Sequence, residues 1–191
     1  MIKCAIISPC YNEEKIIEDS AYRLASTLES LKGKSIVSKD SYVMFVNDGS
    51  TDLTWSKIKA LHSSNPMITG ISLSHNCGHQ VAIMAGMMEV RGNVDAVVTI
   101  DVDLQDDLNA IEEMVLMCQS GTEIVYGIKE SRNVDPFLKR KSAQLFYKFQ
   151  RSFGINVIEN HADFRLLSKR ALDVLAKFPE RNLYLRGIVS R

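Results

Sequence analysis

The stretch AVVTIDVDLQDD, residues 96–107, joins an apolar run to four carboxylates that fall within seven positions. The run has the β-branched composition of a strand that is buried on both faces. Asp101 and Asp103 follow at once, where the carboxyl end of a parallel strand opens onto a ligand. Asp106 and Asp107 come later and suit the first turn of a helix, where negative charge is favoured. The stretch therefore predicts a ligand site, followed by surface acids that begin the next helix.

Short apolar runs alternate with longer segments of helical period along the rest of the chain, which predicts repeated βα units. The predicted strands are residues 3–8, 42–47, 68–73, 96–101 and 123–128. The predicted helices are residues 13–31, a helix of about ten residues that begins at Ser50-Thr51-Asp52, and residues 80–90, 108–119 (capped by Asp107) and 169–178. The fold class is thus α/β, with a Rossmann-like, mostly parallel sheet flanked by helices. Residues 80–90 are apolar on nearly every side, so this helix is expected to be buried.

The composition indicates one soluble globular domain. The chain has 191 residues, 46% of them apolar, which is enough for a single core. The 23 basic and 23 acidic residues balance, so no global charge favours a nucleic-acid partner. The four cysteines form no CxxC pair and are expected to be reduced, as in an intracellular protein. No apolar run reaches the roughly 18 residues that span a bilayer, and the N-terminal run is too short for a secretory signal.

Polar residues follow the first four predicted strands and would meet at one edge of a parallel sheet. They are residues 8–14, 47–50, 74–78 and 101–103. The Asp-x-Asp at this edge suits a hard divalent cation, Mg²⁺ or Mn²⁺, which binds carboxylates, water and phosphate oxygens. The glycine-rich phosphate loops of dinucleotide-binding and P-loop proteins are missing, so a nucleotide would be held by other groups. Tyr11 could stack on a base, and Asp48 could accept a hydrogen bond from a base or ribose.

Five motifs occur in order: SPCYNEE (8–14), VNDGSTDLT (46–54), LSHNCGHQVAIMAG (73–86), DVDLQDD (101–107) and ADFRLLS (162–168). Together they resemble the inverting family 2 glycosyltransferases of GT-A fold. More narrowly, they are similar to the polyprenyl-phosphate glycosyltransferases, the group of dolichol-phosphate mannose synthase and the bactoprenol glucosyltransferases. The resemblance implies transfer of a sugar, with inversion, from a nucleotide diphosphate sugar, expected to be a UDP-sugar, to a polyprenyl phosphate.

The resemblance also implies roles for particular residues of the donor site. Asp101 and Asp103 would bind Mg²⁺ or Mn²⁺ at the donor diphosphate, and Asp103 would be essential for catalysis. A cation there would neutralise the charge that grows on the leaving group. The residues that would bind the donor are Pro9, Tyr11, Asn12, Glu13, Asp48, Asn76, Asp101 and Gln105.

On the acceptor side, Asp163 falls where other family 2 enzymes have their catalytic base. A base suits a hydroxyl acceptor, whereas an ionised phosphate needs little help, so Asp163 could instead orient the acceptor or pair with Arg165. Residues 129–151 are basic and aromatic, which suits an anionic membrane surface and a lipid phosphate. The alternative is an ordinary helix with an apolar core face and a solvated basic face. The residues that resemble acceptor-phosphate positions are Lys129, Arg132, Lys139 and Ser142.

The chain departs from the resemblance in two places. His75 and His79 stand where the family often has Arg and Lys, and they are not expected to form a zinc pair because Asn76 and Gly78 interrupt a regular helix. Family members usually continue into two membrane-spanning helices, whereas this chain ends at Arg191. We therefore expect a single catalytic domain, with donor binding in about residues 1–105 and acceptor binding in about 106–191. It would act at the cytoplasmic side of the cell membrane, either as part of a longer protein or as a short homologue that binds the membrane surface.

Three alternatives stay open at the level of sequence. The first is a family 2 glycosyltransferase that acts on a glycan hydroxyl, which would require Asp163 as a base. The second is a non-catalytic module that binds a nucleotide sugar. The third is a haloacid-dehalogenase-like phosphatase, in which Asp-x-Asp normally follows an early strand and continues with Thr or Val; here it follows the fourth strand and continues with Leu104-Gln105. Whether the protein forms a homo-oligomer is also left open.

Overall fold

A computed structural model of the chain describes residues 1–128 and 161–177. The strands are β1 (Cys4–Cys10), β2 (Tyr42–Asn47), β3 (Ile68–Ser72), β4 (Ala96–Thr99), β5 (Ile124–Ile128) and β6 (His161–Ser168). The helices are α1 (Ile17–Gly33), α2 (Thr54–Ser64), α3 (His79–Val90), α4 (Ala110–Gln119) and α5 (Lys169–Leu175). The strands form one mixed sheet in the order β3-β2-β1-β4-β6-β5.

The first four strands of the chain are parallel, as predicted, and they bring their carboxyl ends to one edge of the sheet. Strand β6 was not predicted. It runs antiparallel between β4 and β5, with Thr99 opposite Arg165 and Tyr126 opposite Arg165 on the other side. Asp163 and Arg165 interrupt its apolar pattern, but they form a buried ion pair with each other. These two charges made the strand unrecognisable in the apolar pattern, although residues 163–167 are all buried.

Helices cover both faces of the sheet, which explains why its central strands are apolar throughout rather than alternating. On one face, Ile6 and Phe45 pack in a core with α1, α2 and α4. On the other face, Ile7 and Val46 pack with α3 and α5. Successive residues of one strand thus enter opposite cores, as the pleat of a strand requires.

Two predictions about helices need correction. Helix α3 has one fully buried face rather than burial all round; the buried residues are Ala82, Ile83, Gly86, Met87 and Val90. Asp107 does not cap α4, which begins at Ala110: its carboxylate accepts from the backbone N–H of Asn109 at 3.0 Å and so closes a turn before the helix. Asp106 is only 9% exposed and is therefore not a surface acid.

None of the helices within residues 1–128 and 161–177 combines the length and the apolar composition that crossing a membrane requires.

Candidate functional site

A cleft of about 440 Å³ lies at the carboxyl ends of the parallel strands, where the sequence predicted a ligand site. The predicted residues that line it are Pro9, Tyr11, Glu13, Asp48, Asn76, Asp101 and Asp103. The lining also includes Cys10, Gly78 and Val102, which belong to the predicted segments at the strand ends, and His79 and Ala82 of α3, of which Ala82 was not singled out in the sequence. Polar residues at the ends of the parallel strands thus predicted the cleft correctly. The apolar residues that line the cleft could not be distinguished from core residues in the sequence.

The chain turns directly after β4, which brings both acids of the Asp-x-Asp to the cleft. The backbone N–H of Leu104 donates to the carbonyl of Asp101 at 3.1 Å, and Leu104 has a positive φ of 49°. Asp101 is partly exposed and Asp103 is exposed. Gln105 is exposed and is not among the lining residues; its backbone N–H lies 3.4 Å from a carboxylate oxygen of Asp103.

Asp48 fixes the loop that leads into α3. The side chain lies at the end of β2 and is 3% exposed. One oxygen accepts from the backbone N–H of Cys77 at 2.7 Å, and the other accepts from Gly78 at 2.9 Å. Gly78 has a φ of 94°, a conformation that favours glycine. Asp48 therefore has a positioning role, and its predicted contact with a base or ribose stays a prediction.

Asn12 belongs to the contact between the loops after β1 and β2 rather than to the cleft lining. Its backbone N–H donates to Ser50 Oγ at 2.9 Å, and its side-chain oxygen accepts from Thr51 N–H at 2.9 Å. Asn12 also has a φ of 56°, which asparagine tolerates better than most residues. It thereby orients its neighbours Tyr11 and Glu13, and its predicted contact with the nucleotide stays a prediction.

The same two loops are joined a second time through Asp52 and Thr54. Glu13 N–H donates to Thr54 Oγ1 at 2.8 Å, and Glu14 N–H donates to an Asp52 oxygen at 3.1 Å. Burial raises the pKa of the Asp52 carboxyl, but the hydrogen bonds from Thr54 and Glu14 outweigh it and lower the pKa overall. Tyr11, 44% exposed, and Glu13 thus lie at the cleft on a loop that is hydrogen-bonded to its neighbour.

The cleft concentrates negative charge. Burial, followed by the charges of Asp103 and Asp52, raises the pKa of the Glu13 carboxyl. Such crowding is relieved when a cation binds among the carboxylates. The shift therefore agrees with a cation site beside Asp103.

His79, the first residue of α3, lies between two carboxylates. Its Nε2 is 3.3 Å from Asp101 Oδ1 and 3.2 Å from Asp163 Oδ2. The contact with Asp101, and then that with Asp163, raises the pKa of the imidazole to about 9, although burial opposes the shift. His79 therefore carries a positive charge at neutral pH while no metal is bound, and it would have to release its proton to act as a metal ligand. In the sequence, the only sign of this charge was that a histidine stands where the family often has Lys.

Asp163 is 5% exposed and is held from several sides. Gln80 Nε2 donates to its Oδ2 at 3.0 Å, and the buried guanidinium of Arg165 donates to its Oδ1. Thr99 Oγ1 donates to its backbone carbonyl. The predicted ion pair with Arg165 is thus confirmed, and Asp163 also stands next to the cleft through His79.

The donor set fits a divalent cation. Within the described part of the chain, His79, Asp101 and Asp163 form a group whose ligand atoms lie within 4.8 Å of one another. Asp101 Oδ1 is buried and accepts no hydrogen bond of good geometry from those residues, although His79 Nε2 is near. Such an oxygen is a suitable ligand for Mg²⁺ or Mn²⁺. Asp103 follows on the same turn but does not belong to this group, so its metal contact stays a prediction.

The predicted acceptor-phosphate residues Lys129, Arg132, Lys139 and Ser142 lie outside the described residues.

An α/β sheet with a carboxylate-rich cleft at the ends of its parallel strands is typical of enzymes that bind nucleotides or other phosphorylated ligands. Comparison with known proteins narrows this class: the family model described as "Glycosyl transferase family 2" matches residues 5–175. The chain belongs to glycosyl transferase family 2. The haloacid-dehalogenase-like alternative therefore has no support.

The chain is also similar to curated bacterial and phage proteins. It is 43% identical over 184 residues to the uncharacterized glycosyltransferase YkoT of Bacillus subtilis, covering 96% of this chain and 55% of the relative. It is 37% identical over 190 residues to the bactoprenol glucosyl transferase of Shigella phage SfX, covering 99% of this chain and 60% of the relative. The chain thus spans little more than half the length of these relatives.

Solved structures share the fold at low identity. Mannosyltransferase PcManGT from Pyrobaculum calidifontis, in complex with GDP-Man and Mn²⁺, has a TM-score of 0.63 at 16% identity and covers 97% of this chain and 50% of that one. Glucosyl-3-phosphoglycerate synthase from Mycobacterium tuberculosis, in complex with Mn²⁺, UDP and phosphoglyceric acid, has a TM-score of 0.58 at 16% identity and covers 89% and 57%. The predicted GT-A fold is confirmed.

Proposed function

We propose that the protein transfers a sugar, with inversion, from a nucleotide diphosphate sugar to a polyprenyl phosphate. The observation that carries this proposal is the acidic cleft, in which the turn after β4 presents Asp101 and Asp103 beside the support for Tyr11. Relatives named bactoprenol glucosyl transferase, 36–37% identical over 99% of the chain, support the choice of acceptor. A UDP-sugar is the proposed donor.

The donor nucleotide would lie along the ends of β1 and β2. Tyr11 offers an exposed ring for stacking on the base, while Pro9 and Asp48 border the same space. Asn76 and Gln105 would contact the rest of the donor. The loop contacts of Asn12 hold Tyr11 in place before the donor arrives, which reduces the entropy lost on binding.

The diphosphate would face Asp101 and Asp103, which would hold Mg²⁺ or Mn²⁺. A divalent cation there supplies neutralisation of the charge that develops on the leaving nucleoside diphosphate. The crowded carboxylates of Glu13 and Asp103 favour its binding. Asp103 is the residue on which this proposal depends most.

A phosphate acceptor agrees with the surroundings of Asp163. Both of its oxygens are already engaged, by Arg165 on one side and by Gln80 and His79 on the other. These donors favour the ionised carboxylate and so make it a weaker base for a hydroxyl, whereas an ionised phosphate attacks without a base. We propose that Asp163 orients the acceptor, and that Lys129, Arg132, Lys139 and Ser142 bind its phosphate near the membrane surface, on the cytoplasmic side.

The test is a transfer assay that separates the acceptor classes. The protein is incubated with radiolabelled UDP-glucose or GDP-mannose and Mn²⁺, together with a short-chain polyprenyl phosphate or, as a matched control, the corresponding polyprenol. We expect label in the organic phase only with the phosphate. In a third reaction that contains a polysaccharide as the acceptor, label in the aqueous glycan identifies a hydroxyl acceptor, and unchanged donor in every reaction identifies a binding module.

A further inference from the structure

We propose that His79 is a positioning residue that joins the donor side of the cleft to its acceptor side. Its ring lies between Asp101, which follows β4, and Asp163, which belongs to the antiparallel strand β6. The role presupposes the proposed sugar transfer, because the two sides are defined by that reaction. His79 makes and breaks no bond; it sets the separation between Asp101, which lines the cleft, and Asp163, which is buried beside His79.

The position of the ring is fixed by the loop that precedes it. The backbone N–H groups of Cys77 and Gly78 both donate to Asp48, which is 3% exposed. The backbone carbonyl of Gly78 then accepts from Ala82 N–H in the first turn of α3. The start of α3 is therefore tied to the end of β2, and His79 cannot follow either carboxylate freely.

The sheet register places the two carboxylates on either side of this fixed ring. Thr99, the last residue of β4, is opposite Arg165 of β6, so Asp101 and Asp163 each lie two residues beyond that pair in the same direction. Nε2 of His79 contacts both, at 3.3 and 3.2 Å. The ligand atoms of His79, Asp101 and Asp163 all lie within 4.8 Å of one another, so the ring nitrogen stands directly between the two carboxylates. The register brings the two acids close, and the Nε2 atom of His79 then fixes the separation between them.

Gln80 offers a comparison within the same turn of helix. Its Nε2 donates to Asp163 at 3.0 Å. The Gln80→Ala variant therefore removes support from Asp163 while the contact of His79 with Asp101 remains. Comparing variants at His79 and Gln80 therefore separates two effects: the contact of one ring with both Asp101 and Asp163, and the support of Asp163 alone.

The expected kinetic signature is a loss in kcat rather than in donor affinity, because misaligned reactants slow the transfer step. We expect His79→Ala to lower kcat by about 10- to 100-fold, as the misplacement of a reacting group by about 1 Å does. The KM for the donor should change by less than about threefold. His79→Lys restores an N–H donor at this position and should recover most of the lost kcat, and Gln80→Ala should cost less than His79→Ala.

Steady-state transfer is measured for the unsubstituted chain, these three variants and His75→Ala, with thermal unfolding of each to verify that it is folded. His75 is the matched control, because its ring contacts Ser74 and Cys77 rather than a carboxylate. A double-mutant cycle that combines His79→Ala with Asp163→Asn tests whether the two residues act together. A purely structural role of His79 would leave the two losses in kcat additive. If His79 acts through Asp163, the two losses in kcat do not add.

Full kcat in a folded His79→Ala variant would overturn the inference and leave the proposed function intact. An equal loss in His75→Ala would overturn it too, as would a loss that His79→Lys does not recover and that adds fully to that of Asp163→Asn. Failure of the proposed function has a different signature, namely no transfer by the unsubstituted chain, and the role of His79 falls with it.

Discussion

Asp48 accepts a hydrogen bond from the backbone N–H of Gly78 at 2.9 Å, which ties the end of β2 to the start of α3. Its other oxygen accepts from Cys77 at 2.7 Å. In Asp48→Asn only one of these donors keeps an acceptor, and the new amide N–H faces the other. We expect a loss of about 1–3 kcal/mol in the free energy of unfolding, together with weaker binding of the nucleotide sugar.

Urea denaturation measures the first effect, and a thermal-shift titration with donor measures the second. Asp40→Asn serves as the control, because Asp40 is exposed in a loop. Equal free energies of unfolding for Asp48→Asn and the unsubstituted chain would show that the loop before α3 does not depend on this carboxylate.

Gly49 allows the loop after β2 to touch the loop before α3. A Cβ at this position would lie 2.4 Å from the backbone carbon of His75, and Gly49 has a φ of 66°. Both effects penalise a side chain, so Gly49→Ala should cost more than about 2 kcal/mol and weaken donor binding. Gly33→Ala is the matched control: a Cβ there meets no atom within 4 Å, at the end of α1, so stability should be unchanged or slightly higher. Similar melting temperatures for the two variants would contradict the close approach.

Asp103 and Asp107 should differ sharply although they belong to one acidic stretch. Asp103 lines the cleft, whereas Asp107 accepts from Asn109 in a turn that an asparagine oxygen can also close. We expect Asp103→Asn to lower transfer by about 100-fold or more, as when a group that stabilises developing charge is removed. Asp107→Asn should keep nearly full activity. The Mn²⁺ concentration for half-maximal transfer should rise only in Asp103→Asn, and an unchanged Mn²⁺ requirement there would argue against Asp103 as a ligand.

The sequence predicted the fold to the extent that apolar pattern determines it. Strands β1 to β5 and helices α1 to α5 lie where the sequence indicated, with ends that differ by a few residues. Strand β6 was missed because Asp163 and Arg165 neutralise each other inside the sheet, and a pairing of this kind has no signature in a hydrophobic pattern. Helix ends were missed for a similar reason: Asp107 bonds within a turn rather than to the helix.

The candidate site was predictable where it depends on strand ends. Asp101, Asp103, Asp48 and Tyr11 meet in the cleft because parallel strands end at the same edge. The role of His79 was not predictable, because it depends on the β4–β6 register and on the loop that Asp48 holds. Both are tertiary contacts between segments far apart in the chain.

Cysteine reactivity should follow burial. Cys77 is exposed, whereas Cys4 and Cys10 are 1% and 4% exposed. Burial raises the pKa of both buried thiols to about 12, with Glu13 adding to the effect at Cys10. In the native protein at pH 8, a thiol-specific reagent should modify Cys77 first and leave Cys4 and Cys10 unmodified until the chain unfolds. Mass spectrometry of digested samples locates the label; early modification of Cys10 would mean that the cleft opens further than its geometry indicates.

The charge on His79 should make a pH-dependent contribution to stability in the metal-free protein. Contacts with Asp101 and Asp163 raise the pKa of the folded-state imidazole to about 9 from an ordinary value of 6.5. The folded chain therefore binds the proton more tightly than the unfolded chain does. The stabilisation is fully present below pH 6.5 and is lost as the pH rises through 9. His79→Gln, which cannot be protonated, should be less stable than the unsubstituted chain at pH 6, and the difference should shrink between pH 6.5 and 9. Urea denaturation in EDTA across this range measures the difference, with His75→Gln as control. A difference that stays constant with pH would mean that His79 is not held as a cation between the two acids.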